Sequence, residues 1–216
     1  MAGCLSFMAG VCASQPRGGI VAHFDGSAPP ERKLIPDDPV LAASAKADWE
    51  RFNGGIGADA AVFAYFHLLP QRALMVPLFA APVPPTQARL TPLLYPLLSG
   101  LFRLLLRLSA TRAEQAACRI RLLFDETGAR IADGRPYLCG ERITLGDIAL
   151  AAASAPLLLP AGYGATMPPL ESMPAPLADF SDELRAHPTG RFVARLYASG
   201  LAAARREEEK ENSPLE

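Results

Sequence analysis

Tyr137-Leu138-Cys139-Gly140-Glu141-Arg142-Ile143-Thr144-Leu145-Gly146-Asp147, running on into Ile148, Ala149 and Leu150, decides the fold of this chain. Thr144 followed three residues later by Asp147 is a capping box. The threonine hydroxyl accepts the Asp147 backbone N–H, and the carboxylate accepts the Thr144 N–H. Two donors that a helix start otherwise leaves orphaned are thereby satisfied. Ile143 just ahead of the cap and Ile148 in the first turn are spaced as a hydrophobic staple, which sets the angle at which the chain joins the helix. The apolar run behind the box predicts a buried helix.

Around that box, Tyr137-Leu138-x-Gly140-x-x-x-Thr144-Leu145-x-Asp147-Ile148-Ala149 resembles the run that starts the central buried helix of the helical C-terminal domain of glutathione transferases. Leu34-Ile35-Pro36-Asp37-Asp38-Pro39 is similar to the linker and first-helix start of that domain. Tyr65-Phe66-His67-Leu68-Leu69-Pro70 and His187-Pro188-Thr189-Gly190-Arg191-Phe192 resemble segments of its bacterial-type members. The resemblance covers about residues 33–204 and implies an all-α bundle. Ahead of it, residues 1–32 are an irregular segment in which residues 19–25 resemble the last helix of a thioredoxin-like domain. Residues 205–216 are a charged, apolar-poor tail expected to be disordered.

Half of the 216 residues are hydrophobic and the formal net charge is −1. The chain can therefore bury a substantial core, and no overall charge recommends a nucleic-acid partner. The charge is nevertheless uneven. No Asp or Glu occurs from residue 60 through residue 113, where Arg72, Arg89, Arg103, Arg107 and Arg112 stand among apolar residues. Two readings are open: the interior of the bundle with arginines reaching its rim, or a patch that attracts an anionic ligand or a membrane surface. Arg103 and Arg107 interrupt the most apolar window, residues 93–108, before it reaches bilayer-spanning length, so no membrane span is expected. The first sixteen residues have no basic stretch ahead of their apolar part and do not read as a signal peptide.

Cys4, Cys12, Cys118 and Cys139 form no C-x-x-C pair, and His23, His67 and His187 share no ligand spacing with them. The expectation is no metal site, reduced thiols and a cytoplasmic protein.

Periodicity places the remaining helices. One begins near Asp37 with Pro39 in its first turn and carries Leu41, Ala45, Trp49 and Phe52 on one face. Asn53-Gly54-Gly55 and Gly57 predict a break, after which the pattern resumes through Phe63, Phe66 and Leu69 and stops at Pro70. Beyond the prolines at 82, 84 and 85, Thr86 or Thr91 is a candidate cap for a helix bent at Pro96. Leu97, Leu101, Leu104, Leu105 and Leu108 line one side of it. A second box, Thr111 to Glu114, opens a helix carrying Ala117, Ile120, Leu123 and Phe124. Leu177, Phe180 and Leu184 mark a short helix. Thr189 caps the last one, with Phe192, Leu196 and Leu201 inward. No strand pattern of useful length appears.

Gly55-x-Gly57-x-x-Ala60 meets the dinucleotide fingerprint only on paper, because a charged helical stretch precedes it instead of a strand. By the resemblance, a complete transferase stabilises the thiolate of glutathione, its co-substrate, and directs it at a hydrophobic electrophile held by the helical domain. Trp49, Phe52, Ile56 and Tyr65 are the side chains placed to line that substrate pocket, although aromatics at helical spacing also suit a plain core. The thiol-activating half has no room ahead of residue 33. The functional readings are therefore a glutathione transferase-like enzyme, a non-catalytic protein-interaction module, and a carrier of a small hydrophobic molecule. Without the half that packs on it, the first long helix is expected to expose an apolar face. Through that face the chain would form a homodimer or larger oligomer, or meet a protein partner.

Overall fold

The computed structural model describes Asp25, Pro29, residues 33–164 and residues 167–211, with side chains at all of these but 85, 86 and 201–211. Cys4, Cys12, His23 and, apart from Asp25, the expected helix at residues 19–25 lie outside the described residues, as does the side chain of Leu201. Among the described residues there are helices and connections but no strand, so the fold is all-α. In chain order the α-helices are α1 (Pro39–Gly54), α2 (Ile56–Leu68), α3 (Arg72–Ala80), α4 (Pro85–Ala88), α5 (Thr91–Leu105), α6 (Ala110–Arg130), α7 (Leu145–Leu158), α8 (Ala175–Ala186) and α9 (Pro188–Glu211).

Each end of α7 is fastened by a different device. At its start the capping box is formed as the sequence requires. Asp147 Oδ2 accepts from Thr144 N at 2.8 Å and from Thr144 Oγ1 at 2.7 Å, while Oδ1 accepts from Leu138 N at 2.8 Å. One carboxylate thus ties the helix to the turn before it, where Tyr137 and Gly140 exchange backbone hydrogen bonds. Ile143 and Ile148 both remain partly exposed. At the other end Leu159 takes a left-handed conformation with φ 45°. Arg185 of α8 reaches across and donates from Nε to Leu158 O at 2.7 Å, supplying a donor that the last turn lacks.

Four helices surround α7: α1, α2, α8 and α9. The approach of α1 is the closest, and Gly146 permits it, since a Cβ there would stand 2.7 Å from Asp48 Cβ. Asp48 is buried, and its Oδ1 takes Arg130 Nη1 of α6 at 2.7 Å. The same guanidinium donates from Nη2 to Ser44 Oγ and Leu138 O, both at 3.1 Å. Removing the arginine would leave a buried charge uncompensated, the costly way to break such a pair. α6 packs along α2, and Phe52, Ile56, Ile120, Phe124, Leu150 and Leu157 form the driest part of the core.

Most starts and stops agree with the sequence. Asp38 caps α1, accepting from Val40 N and Leu41 N at 2.9 Å each, with Pro39 first in the helix. The break falls at Gly55, where a Cβ would lie 2.7 Å from Arg51 O. Five details differ. α5 has no side-chain cap: Leu90 stands at its N-cap position and Thr91 is its first residue, so neither Thr86 nor Thr91 caps it. α6 is capped by Ser109, whose Oγ accepts from Arg112 N at 3.2 Å, so Thr111 already lies inside the helix. His187 occupies the capping role expected of Thr189: its Nδ1 accepts from Thr189 N at 3.2 Å, and the threonine hydroxyl donates to Phe124 O at 2.6 Å. The backbone of α9 continues as helix to Glu211, past the expected start of the tail at residue 205. Finally, α3 and α4 fill what reads as a proline-rich connection.

The excursion from α3 to α5 is joined to the bundle by one buried hydrogen bond in particular. Tyr95 Oη of α5 donates to Leu69 O, just past α2, at 2.6 Å. Burial pushes the Tyr95 phenol above its ordinary pKa, which keeps it a donor. Tyr95→Phe should cost about 1–2 kcal/mol, because the Leu69 carbonyl is left unmatched. Thermal unfolding followed by circular dichroism should fall by about 4 °C.

Candidate functional site

Where α2 ends, α5 ends and α8 begins, the surface opens into a cleft of about 350 Å³ lined by Phe66, His67, Pro70, Gln71, Arg103, Leu108, Pro174 and Pro176. The prolines determine its shape. Pro70 stops α2, and Pro174 and Pro176 open α8 with fixed φ angles, so the walls meet without helix continuing across the gap.

His67 sits between two rings, with centroid distances of 4.8 Å to Phe63 and 5.0 Å to Phe66 in edge-on arrangements. Its burial lowers the imidazole pKa below the ordinary 6.5, so the ring is neutral at pH 7 and presents one donor and one acceptor nitrogen. The sign of the linkage follows. The stability that this group contributes is present above pH 6.5 and is lost as pH falls through its lowered folded value. Arg103 supplies a permanent cation to the same cleft. Apolar walls, a neutral imidazole and one guanidinium suit a small hydrophobic molecule bearing an acceptor oxygen, and the volume lies within the range of small-molecule sites.

The four pocket residues read from the sequence are distributed differently. Phe52 and Ile56 are in the core, 2% and 1% exposed. Trp49 and Tyr65 are half-buried against that core, and Tyr65 stacks at a tilt on Phe102 of α5 with centroids 5.1 Å apart. None of the four lines the cleft. His67 and Arg103, which do, carry no spacing signal, because α2 and α5 contribute them from far apart in the sequence.

A second, more open depression of about 570 Å³ lies by the start of α1 and includes Val40, Leu41, Arg130 and Cys139. There Cys139 Sγ lies 3.8 Å from Arg130 Nη2. Cys139 and Cys118 are both free thiols. Among the described residues no group of three or more His, Cys, Asp or Glu side chains is arranged to hold a metal ion.

No family model, curated protein or solved structure matches this chain.

Proposed function

We propose that this chain is a helical binding domain of the glutathione transferase type, and that the cleft between α2, α5 and α8 takes a small hydrophobic molecule. The observation that carries the binding reading is the cleft itself, where a neutral imidazole held between two phenylalanine rings, one arginine and the Gln71 amide are the polar groups of a mostly apolar lining. The family reading is supported by the capping box at Thr144 and Asp147, which opens a helix that four others surround. The transferase reading adds conjugation of the bound molecule, as an electrophile, to the thiolate of glutathione. The carrier reading stops at binding.

A neutral solvatochromic dye such as Nile red tests the cleft. Dye binding to the full chain should weaken several-fold as pH falls through the His67 transition, because a charged imidazole disfavours an apolar neighbour. The His67→Phe variant should bind with no such pH dependence. Unchanged pH dependence in that variant would rule out this cleft as the dye site. Retention on immobilised glutathione with elution by the free tripeptide supports the transferase reading, and passage through the resin leaves the carrier reading.

A further inference from the structure

Of the two readings open for the apolar segment, bundle interior or surface patch, α5 shows both: one side is buried and a leucine face points outward. Leu90, Leu93, Leu94, Leu97, Leu101 and Leu104 are between 46% and 77% exposed. At 3.6 residues per turn they fall within an arc of about 100°. The opposite side of the helix is the buried one, through Thr91, Tyr95 and Phe102. α5 is therefore apolar on two faces, and among the described residues only one of them is buried. The face expected to be exposed, on α1, shows just Val40 and Leu41 among its large apolar residues.

Charge selects what meets the free face. Arg89 in the turn before α5 and Arg107 in the turn after it are exposed at the two ends of the leucine face, and Arg103 in its last turn is exposed where the helix meets the cleft. Arg72 lies beside the helix start, with Nη2 donating to Pro92 O at 2.6 Å. No carboxylate stands anywhere between residues 60 and 113. Two copies meeting through this face would bring arginines against arginines with no carboxylate from residues 60–113 to compensate them. The exposed ridge is convex and purely aliphatic, whereas protein interfaces anchor on aromatic side chains seated in pockets. Aliphatic residues along one face with arginines beside them is the composition of a helix that lies in the headgroup region of a bilayer.

We infer that α5 docks on an anionic membrane surface, with its leucines among the upper acyl chains and its arginines at the lipid phosphates. It lies on the bilayer and does not cross it: 15 residues of helix reach about 22 Å against a hydrocarbon core of about 30 Å. No single helix among the described residues is long and apolar enough to cross a membrane.

Flotation of the full chain with vesicles tests this. Binding should be roughly a hundredfold stronger to vesicles containing one-third phosphatidylglycerol than to phosphatidylcholine alone, and should weaken sharply at high salt. Arg89→Gln with Arg107→Gln should lose roughly thirtyfold. Leu93→Ser, Leu97→Ser and Leu104→Ser together should lose at least about tenfold on the anionic vesicles. All five side chains are exposed, and circular dichroism checks that both variants keep the fold. Equal binding to the two vesicle types, absence of flotation, or flotation indifferent to the leucine variant would overturn the inference. A dimer seen by ultracentrifugation that the leucine variant abolishes, in a chain that does not float, would assign the face to a second copy instead.

Discussion

Asp147→Ala should destabilise the protein by about 4 kcal/mol at neutral pH and lower its thermal midpoint by about 12 °C. The carboxylate is 0% exposed and accepts from Leu138 N, Thr144 N and Thr144 Oγ1. Alanine strands two buried backbone donors in the segment through which four packing helices are aligned. Asp147→Asn should recover about half of the loss, since one oxygen still accepts while the amide sets a donor against a donor. Burial, the largest influence, raises the Asp147 pKa above 3.8 against the lowering effect of its hydrogen bonds. The proton-linked stability is thus complete below pH 3.8 and is lost as pH rises through the folded value. The gap between wild type and the alanine variant should accordingly narrow across that window in urea titrations. An alanine variant within about 1 kcal/mol of wild type would mean that the box does not hold the fold together.

Gly190→Ala should be comparably severe, about 4 kcal/mol, and urea denaturation is again the measurement. A Cβ at position 190 would collide with Leu184 O and stand 2.9 Å from Leu184 C and 3.1 Å from Arg185 Cα. All three are backbone atoms of α8, so relief requires the α8–α9 corner to open, and with it the contacts that Phe192 and Val193 make in the core. Gly200, in the same helix, has nothing within 4 Å of its missing Cβ. Gly200→Ala should therefore change stability in the opposite direction, by about 0.5–1 kcal/mol. If both substitutions prove harmless, the packing of α9 on α8 is looser than described.

What the sequence makes legible is governed by local chemistry. The box at Thr144, the start of α1 near Asp37, the break at Gly55 and the buried Leu177, Phe180, Leu184, Phe192 and Leu196 all follow from residues close together in the chain. Ser109 and His187 displaced the expected caps because several polar residues stood within one turn of each start, and only the backbone course decides which side chain meets a free N–H. The direction of α5 was illegible for another reason. A hydrophobic stripe gives a period but not a partner, and the stronger stripe of leucines was outbid by Tyr95 and Phe102, which have the rings of Phe79 to pack against. The cleft was harder still. Phe66, Arg103 and Pro174 come together only through tertiary folding, so Trp49, Phe52, Ile56 and Tyr65 were the reasonable apolar side chains to select and Phe52 and Ile56 proved to be core.

The excursion through α3, α4 and α5 leaves the bundle at Pro70 and returns at Ser109, and within it α5 packs chiefly on α3. Substitutions among its outer residues consequently leave the alignment around α7 undisturbed. In evolutionary terms the chain separates innovation from inheritance: a new surface can be tried on α5 without a compensating change in the helices that define the architecture.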